Sequence, residues 1–133
     1  MHWAVELRTR VALVPHKSNY ARYLEHRVDG VHLICPTDAW TDVVDQLVSC
    51  RLVVSSSLHG LICADAYNVP NVWLNEHPLP EGDFKFRDYF ASQGRPNDGV
   101  VTSVHDALQP DAPVWKQGNQ LDTTKLLHAF PFA

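Results

Sequence analysis

Short apolar runs alternate with segments of helical periodicity along the first half of the chain. The runs are rich in β-branched residues and stop at proline or serine, which is typical of buried strands. Their starts recur about every twenty residues, the repeat of a βαβ unit. Nearly continuous apolar strands belong to parallel sheets that are covered on both faces, so we predict an α/β fold with a Rossmann-like, doubly wound parallel sheet. The predicted strands are residues 10–15, 31–36, 52–55 and 71–74.

The segment between the first two predicted strands contains a short helix candidate, residues 19–27. After the second strand, Thr37 or Asp38 offers the N-cap of a longer helix that runs to Cys50. We expect Asp38 to serve as this cap rather than as an acid or base. The apolar positions that recur at helical spacing, and that predict the buried face of this helix, are Trp40, Val43, Val44, Leu47 and Val48.

Residues 58–67 are small or apolar on all sides, which suits a helix buried against a sheet. The Asn-Val-Pro sequence at 68–70 ends it. Two shorter helices are predicted over 84–92 and 103–108. We expect residues 1–133 to form a single domain, with residues 109–133 as a tail that packs on it.

Composition narrows the classes of function. The net charge of −4 and the scattered basic residues give no nucleic-acid footprint. The histidines and cysteines lack the spacing of metal ligands, so we expect no metal site. With no apolar stretch of about 20 residues and no signal-peptide pattern, we expect a cytoplasmic protein. Without C-x-x-C spacing, three residues are expected to be buried, reduced thiols: Cys35, Cys50 and Cys63.

The strongest candidate site is the junction between the third strand and the helix after it. Ser55, Ser56 and Ser57 end the strand, and His59 lies in the first helical turn. Helix N–H groups and the helix dipole favour an anion there, and Gly60 allows close approach of a backbone or a ligand. The alternative is that the serines only cap the helix and that His59 is a half-buried structural histidine.

A second group follows the first strand. His16 and Lys17 are two basic side chains, and Asn19 is a loop amide that could help to hold a phosphorylated ligand. The alternative is an ordinary solvated loop. Because successive parallel strands end at the same edge, His16, Asp38 and His59 are expected to share that edge.

Residues 82–90 mix cations with aromatic rings. Lys85 and Arg87 beside such rings would suit a sugar or an anionic ligand. The alternative is a lid helix that packs Phe84, Phe86 and Phe90 downward and leaves its charges in water. The chain has neither the G-x-G-x-x-G nor the G-x-x-x-x-G-K-[ST] sequence of nucleotide-binding loops, and no G-x-S-x-G sequence of hydrolases.

Residues 42–73, with the sequence DVVDQLVSCRLVVSSSLHGLICADAYNVPNVW, closely resemble the C-terminal half of polysaccharide pyruvyl transferases. Members of that family show a serine-rich turn, S-x-L-H-G or R-L-H-A, a small-residue helix and a P-x-V-W strand. The FKFRDYFASQGR block resembles a segment of the exopolysaccharide branch, and VPHKSNY resembles the family's P-H-x-x-N/D strand end. The likeness covers roughly residues 10–95.

The resemblance implies the C-terminal lobe of a two-lobed fold similar to glycosyltransferase-B, with the active site in the cleft between lobes. It implies transfer of the enolpyruvyl group of phosphoenolpyruvate onto two sugar hydroxyls as a ketal, with no further cofactor. His59 would be the catalytic acid. The residues implied to bind donor or sugar are His16, Lys17, Asn19, Ser55, Ser56, Ser57, Leu58, Gly60, Lys85 and Arg87.

Two departures from the family pattern matter. Many relatives carry arginine where this chain has Ser57, so the anion clamp would come from Arg87 or from the N-terminal lobe, which is missing here. We therefore expect the isolated chain to be inactive, unless a homodimer rebuilds the cleft. A lipid-linked acceptor would bring the protein to the membrane surface. The alternatives are a non-catalytic module that binds sugars or anions and a glycosyltransferase that uses a nucleotide-sugar.

Overall fold

A five-stranded sheet, parallel throughout, forms the centre of the molecule in a computed structural model of the chain. The structure describes residues 10–75, 83–96 and 98–118. Across the sheet the strand order is β2-β1-β3-β4-β5. The strands are β1 (Val11–Val14), β2 (Val31–Leu33), β3 (Leu52–Ser55), β4 (Asn71–Leu74) and β5 (Val100–Val101).

Helices join consecutive strands, as the predicted βαβ pattern requires. A 3₁₀ turn, Lys17–Asn19, leads into the first of them. The helices are α1 (Tyr20–Glu25), α2 (Trp40–Val48), α3 (Leu58–Ala66), α4 (Phe84–Ser92) and α5 (Val104–Ala107).

Both faces of the sheet are covered. Leu13 and its neighbours on one face pack against Tyr23 of α1 and Val104 of α5. On the other face, Val14 and its neighbours pack against α2 and α3, and Trp73 of β4 packs against α4. Successive strand residues point to opposite faces, so strands that are apolar at every position need both layers of helices. The predicted doubly wound α/β fold is confirmed.

The predicted all-apolar helix is α3, in which seven of nine residues are buried. It lies against β3 and β4, and Asn68 ends it with a left-handed φ of 58°. The predicted bounds of β3, β4 and α4 also agree with the structure.

Several predicted boundaries are wrong. The N-cap of α2 is Ala39 and makes no side-chain capping bond, so neither Thr37 nor Asp38 has that role. The Asp38 N–H instead donates to the Cys35 carbonyl at 3.2 Å, which makes Asp38 part of a turn that leaves β2. The strand β2 ends at Leu33, and β5, which has two residues, was not predicted.

The cysteines differ in burial. Cys50 and Cys63 are buried, and burial raises their thiol pKa values to about 11 and about 12. Cys35 is half-buried, so the prediction of a buried thiol is wrong there. It lies just after β2, where its Sγ is 3.3 Å from Thr37 Oγ1. All three are unbridged.

A buried polar network ties α3, β4 and α4 together. Asp65 accepts hydrogen bonds from Asn71 Nδ2 at 2.8 Å and from the Tyr89 hydroxyl at 2.8 Å. The Arg95 guanidinium lies 3.4 Å from the same carboxylate and donates to Asn71 Oδ1 at 2.7 Å. These four side chains, which we call the Asp65 network, fix the end of α4 to the sheet.

The described part of the predicted tail touches the sheet at one point. Trp115 and Asn71 exchange two backbone hydrogen bonds of 2.8 Å. Gly118 N–H donates to Asn68 Oδ1 at 2.8 Å. The rest of the predicted tail, 119–133, lies outside the described residues. No helix in the described ranges has the length and apolar character needed to cross a membrane.

Candidate functional site

The strand order places a crevice at the carboxyl edge of the sheet. From β1 the chain moves outward to β2, whereas from β3 it moves in the opposite direction to β4 and β5. The loops after β1 and β3 therefore diverge, and this switch point is where open α/β sheets bind ligands. His16 follows β1 there, and Ser56 follows β3.

Hydrogen bonds join these two loops. The His16 N–H donates to Ser56 Oγ at 2.9 Å, and the Ser56 N–H donates to the Val14 carbonyl at 3.1 Å. The His16 ring accepts the Ser18 N–H on Nδ1 at 3.2 Å, which leaves the proton of a neutral ring on Nε2. Hydrogen bonds within the chain thus join the two loops at the switch point.

The Ser55 hydroxyl is fully buried and faces inward. Its oxygen accepts the Ser57 N–H at 3.0 Å, and it lies 3.0 Å from the Val14 carbonyl and 2.7 Å from the Ser57 carbonyl. Ser56 is also buried. In this structure, Ser55 and Ser56 shape the turn, although both were predicted to bind substrate.

Gly60 is required by the same turn. A Cβ at this position would overlap Ser55 Oγ and lie 3.1 Å from Val14 Cβ. The groups that approach Gly60 closely are therefore side chains of this chain, those of Ser55 and Val14. Leu58, another predicted binding residue, is buried among the apolar side chains between α3 and α4.

The first turn of α3 is open toward the edge. Ser57 occupies the N-cap position, with φ −102° and ψ 127°, and its side chain makes no capping hydrogen bond. The proposed capping role therefore does not describe Ser57. The backbone N–H groups at the start of this nine-residue helix carry the positive end of its dipole.

His59 is the second residue of α3 and its side chain is exposed. Its ring meets the Trp40 ring edge to face, with centroids 5.6 Å apart and planes at 79°. Neighbouring groups nevertheless cover part of the imidazole, and this partial desolvation, followed by the charge of Lys85, lowers the pKa of His59 from its ordinary 6.5. The imidazole is therefore mainly neutral at pH 7.

The α4 block divides into buried and exposed parts. Phe86 stacks on Trp73 with centroids 5.3 Å apart, and Phe90 is buried beside them. Phe84 is 71% exposed, so the predicted downward packing is wrong for this residue. A helix positions only some of its residues toward the sheet, and Phe84 begins the first turn.

The two cations of this block differ in their neighbours. Lys85 is exposed and near enough to His59 to influence its pKa. Arg87 Nε lies 2.9 Å from Asp83 Oδ2, and its guanidinium carbon lies 5.5 Å from the centre of the Trp73 ring. Lys85 therefore belongs to the His59 group, whereas the contacts of Arg87 are with Asp83 and Trp73.

The remaining predicted residues lie beside the crevice. Lys17 is exposed, and Asn19 is half-buried with its N–H donating to the His16 carbonyl at 2.9 Å. Trp40 was predicted only as a buried helix residue. It could have been found from its position, because a residue that starts a helix after a parallel strand lies at the carboxyl edge.

Fold and site together define a Rossmann-like α/β domain whose carboxyl edge carries a histidine-bearing crevice. Residues 3–78 match the family model described as "Polysaccharide pyruvyl transferase". The match covers more than half of the chain, so the chain belongs to this family. It includes both crevice loops and ends before α4, which leaves Lys85 and Arg87 outside the matched residues.

Two curated relatives extend this result. One is "Uncharacterized protein L143" of Acanthamoeba polyphaga mimivirus, 31% identical over 93 residues, which are 65% of this chain and 32% of L143. The other is "Succinoglycan biosynthesis protein ExoV" of Rhizobium meliloti (strain 1021), 30% identical over 90 residues, 65% of this chain and 28% of ExoV. The chain thus spans about a third of the length of these relatives. No solved structure matches it.

Proposed function

We propose that this chain forms the donor-binding and acid–base lobe of a pyruvyl transferase acting on an exopolysaccharide or its lipid-linked precursor. The donor would be phosphoenolpyruvate. The observation that carries the proposal is the place of His59: an exposed imidazole in the first turn of α3, beside the switch point and within electrostatic reach of Lys85. Membership of the family and the similarity to ExoV, a succinoglycan biosynthesis protein, support it.

Donor binding would use the positive end of α3. Phosphate and carboxylate both suit helix N–H groups, and Lys85 adds a full charge to the same place. His16 and Lys17 extend the basic surface across the crevice. Arg87 would also bind the donor by leaving Asp83. The Arg87–Asp83 ion pair is exposed to solvent, and such pairs contribute little energy.

The transfer has two bond-forming steps. A sugar hydroxyl oxygen adds to C2 of the enolpyruvyl group while the catalytic acid gives a proton to the C3 methylene carbon. The proton of that hydroxyl then passes to the acid and restores it. A second hydroxyl then forms its bond to C2 as the bond from C2 to the phosphate oxygen breaks. Inorganic phosphate leaves with the second hydroxyl's proton, and pyruvate remains as a ketal.

His59 would supply the proton to C3. Its lowered pKa leaves it mainly neutral without donor, which is the wrong form for an acid. A bound anion would offset the charge of Lys85 and stabilise the imidazolium. Donor binding would therefore favour protonation of His59 in the complex in which its proton is used.

Substrates and partners follow from this chemistry. Because the chain spans about a third of its relatives, a second lobe would complete the cleft and hold much of the acceptor. A homodimer could replace that lobe. We place the reaction in the cytoplasm, where phosphoenolpyruvate is made, with a lipid-linked acceptor holding the protein at the membrane surface.

The test is a calorimetric titration of phosphoenolpyruvate into the chain, with NMR detection of the His59 ring. We expect saturable binding that His59→Ala weakens about tenfold or more, the loss of one charge-assisted contact. Binding should raise the pKa of His59. The matched control is His26→Ala, an exposed histidine at the C-cap of α1 on the other edge of the sheet.

The contrary results are distinct. An equal loss of phosphoenolpyruvate affinity in His59→Ala and His26→Ala would show that His59 is not part of the donor site. Binding of a nucleotide-sugar without phosphoenolpyruvate would support the glycosyltransferase alternative. Donor binding by the chain, with no ketal formed by any longer product of the same gene, would support a non-catalytic module.

A further inference from the structure

Trp40 lies at the site but does not pack as its sequence position predicts. It begins the apolar pattern that continues through Val43 and Leu47, both of which are buried. Trp40 itself remains 48% exposed. It is the largest side chain of that pattern, and it remains partly accessible to water beside His59.

The end of α2 explains this exposure. Side chains on a helix lean toward its N-terminus, so the first residue extends beyond the helix end. The N-terminus of α2 faces the carboxyl edge, and α2 packs beside α3. The Trp40 ring therefore overhangs the sheet and meets the ring of His59, which lies in the first turn of α3.

An exposed indole beside an acid–base histidine suits one class of ligand. The face of a pyranose carries C–H groups that pack on an aromatic face, and its rim carries hydroxyl groups. The indole and imidazole planes are at 79°. Because the ring centroids are only 5.6 Å apart, a sugar lying flat on an indole face beside the imidazole would have its hydroxyl-bearing rim close to His59.

We infer that Trp40 is a stacking platform for the pyranose ring of the acceptor, which it holds with its hydroxyls near His59. This deepens the proposed function and rests on it. The platform belongs to this chain, so part of the acceptor site lies in this lobe. The expected ligand is a neutral pyranoside.

The experiment follows the indole N–H signal of Trp40 and the ring signals of His59 by NMR. Methyl β-glucopyranoside, methyl β-galactopyranoside and methyl α-mannopyranoside are titrated into the chain, with and without phosphoenolpyruvate. We expect at least one of them to shift both sets of signals. Trp40→Ala should weaken that binding about tenfold, and Trp40→Phe should retain most of it.

The matched control is Tyr67→Ala. Tyr67 is an exposed aromatic residue, 57% accessible, at the C-cap of α3. Tyr67 follows His59 by eight residues, so the control lies about 12 Å from the site along the helix axis. We expect sugar binding to be unchanged in this variant.

The results separate this inference from the proposed function. Phosphoenolpyruvate binding without any sugar-induced shift at Trp40 would overturn the platform and leave the proposed function standing. Sugar binding at Trp40 without phosphoenolpyruvate binding would overturn the proposed donor site and leave Trp40 only as a sugar-binding residue. If Trp40→Ala weakened donor and sugar binding equally, Trp40 would act only by positioning His59, and the platform would be wrong.

Discussion

The two edges of the sheet both carry polar clusters, and the clusters differ in burial. At the amino edge, Asp65, Asn71 and Arg95 are buried and joined to one another and to Tyr89. At the carboxyl edge, His59 and Lys85 are exposed, and the charge of Lys85 contributes to the lowered pKa of His59. Similar residue types thus have different environments at the two ends of the same helices.

The difference separates stability from ligand binding. A buried charge is costly to leave without its partner, so the Asp65 network constrains the fold. Exposed charges contribute little free energy through their ion pairs, so they can exchange a partner for a ligand at low cost. Substitutions at the amino edge should therefore change the free energy of unfolding, whereas those at the carboxyl edge should change binding and titration.

The largest effect is expected from Asp65→Ala. It leaves the Arg95 guanidinium buried with only Asn71 and the neighbouring rings, and breaking a buried pair typically costs about 3–5 kcal/mol. Urea unfolding at pH 7 measures the loss.

Tyr89→Phe, which removes one 2.8 Å hydrogen bond, should cost about 1–3 kcal/mol, the penalty of an unsatisfied buried group.

If both variants left the free energy of unfolding unchanged, the buried and the exposed clusters would not differ in their effect on stability. A loss below about 0.5 kcal/mol in both variants, the usual range for surface positions, would mean that the network is not a constraint on the fold. If Asp65→Ala does not fold, Tyr89→Phe still gives the measurement.

An intermediate effect is expected from Gly60→Ala, which tests the turn below the crevice. The new methyl group would overlap Ser55 Oγ and press on Val14, and overpacking of this kind costs about 1–3 kcal/mol. Ser55→Ala removes the overlapping oxygen. A double-mutant cycle in urea should therefore show that Gly60→Ala costs less in the Ser55→Ala background. Additive losses would locate the strain elsewhere.

The smallest effect on stability, and a clear effect on titration, is expected from Lys85→Ala. Removing a positive charge near His59 should raise the pKa of the imidazole, because Lys85 disfavours its charged form. The free energy of unfolding should change by less than about 0.5 kcal/mol. NMR titration measures the pKa of His59, and urea unfolding measures the free energy of unfolding.

Lys17→Ala, another exposed lysine at this edge, is the control. An unchanged or lower pKa in Lys85→Ala would show that its charge does not reach His59.

Local sequence patterns predicted the parts of the fold that depend on local physics. Local patterns predicted the bounds of β3, β4 and α4, because two short, mainly apolar strands and one helix with regularly spaced aromatic residues are each flanked by polar residues, glycine or proline. They missed β5, whose two residues carry no periodicity. Helical spacing assigned Trp40 to a buried face, since spacing gives the direction of a side chain and not where the covering layer ends.

The sequence by itself determined the α/β layering, the serine–histidine turn and the family, because these depend on runs of neighbouring residues. The tertiary structure decided which side of that turn faces inward: Ser55 and Gly60 contact each other, while His59 faces outward beside Trp40. It also decided that Asp65, Asn71, Tyr89 and Arg95 form one network. These contacts join residues brought together only when helices pack on a twisted sheet, and no local periodicity encodes them.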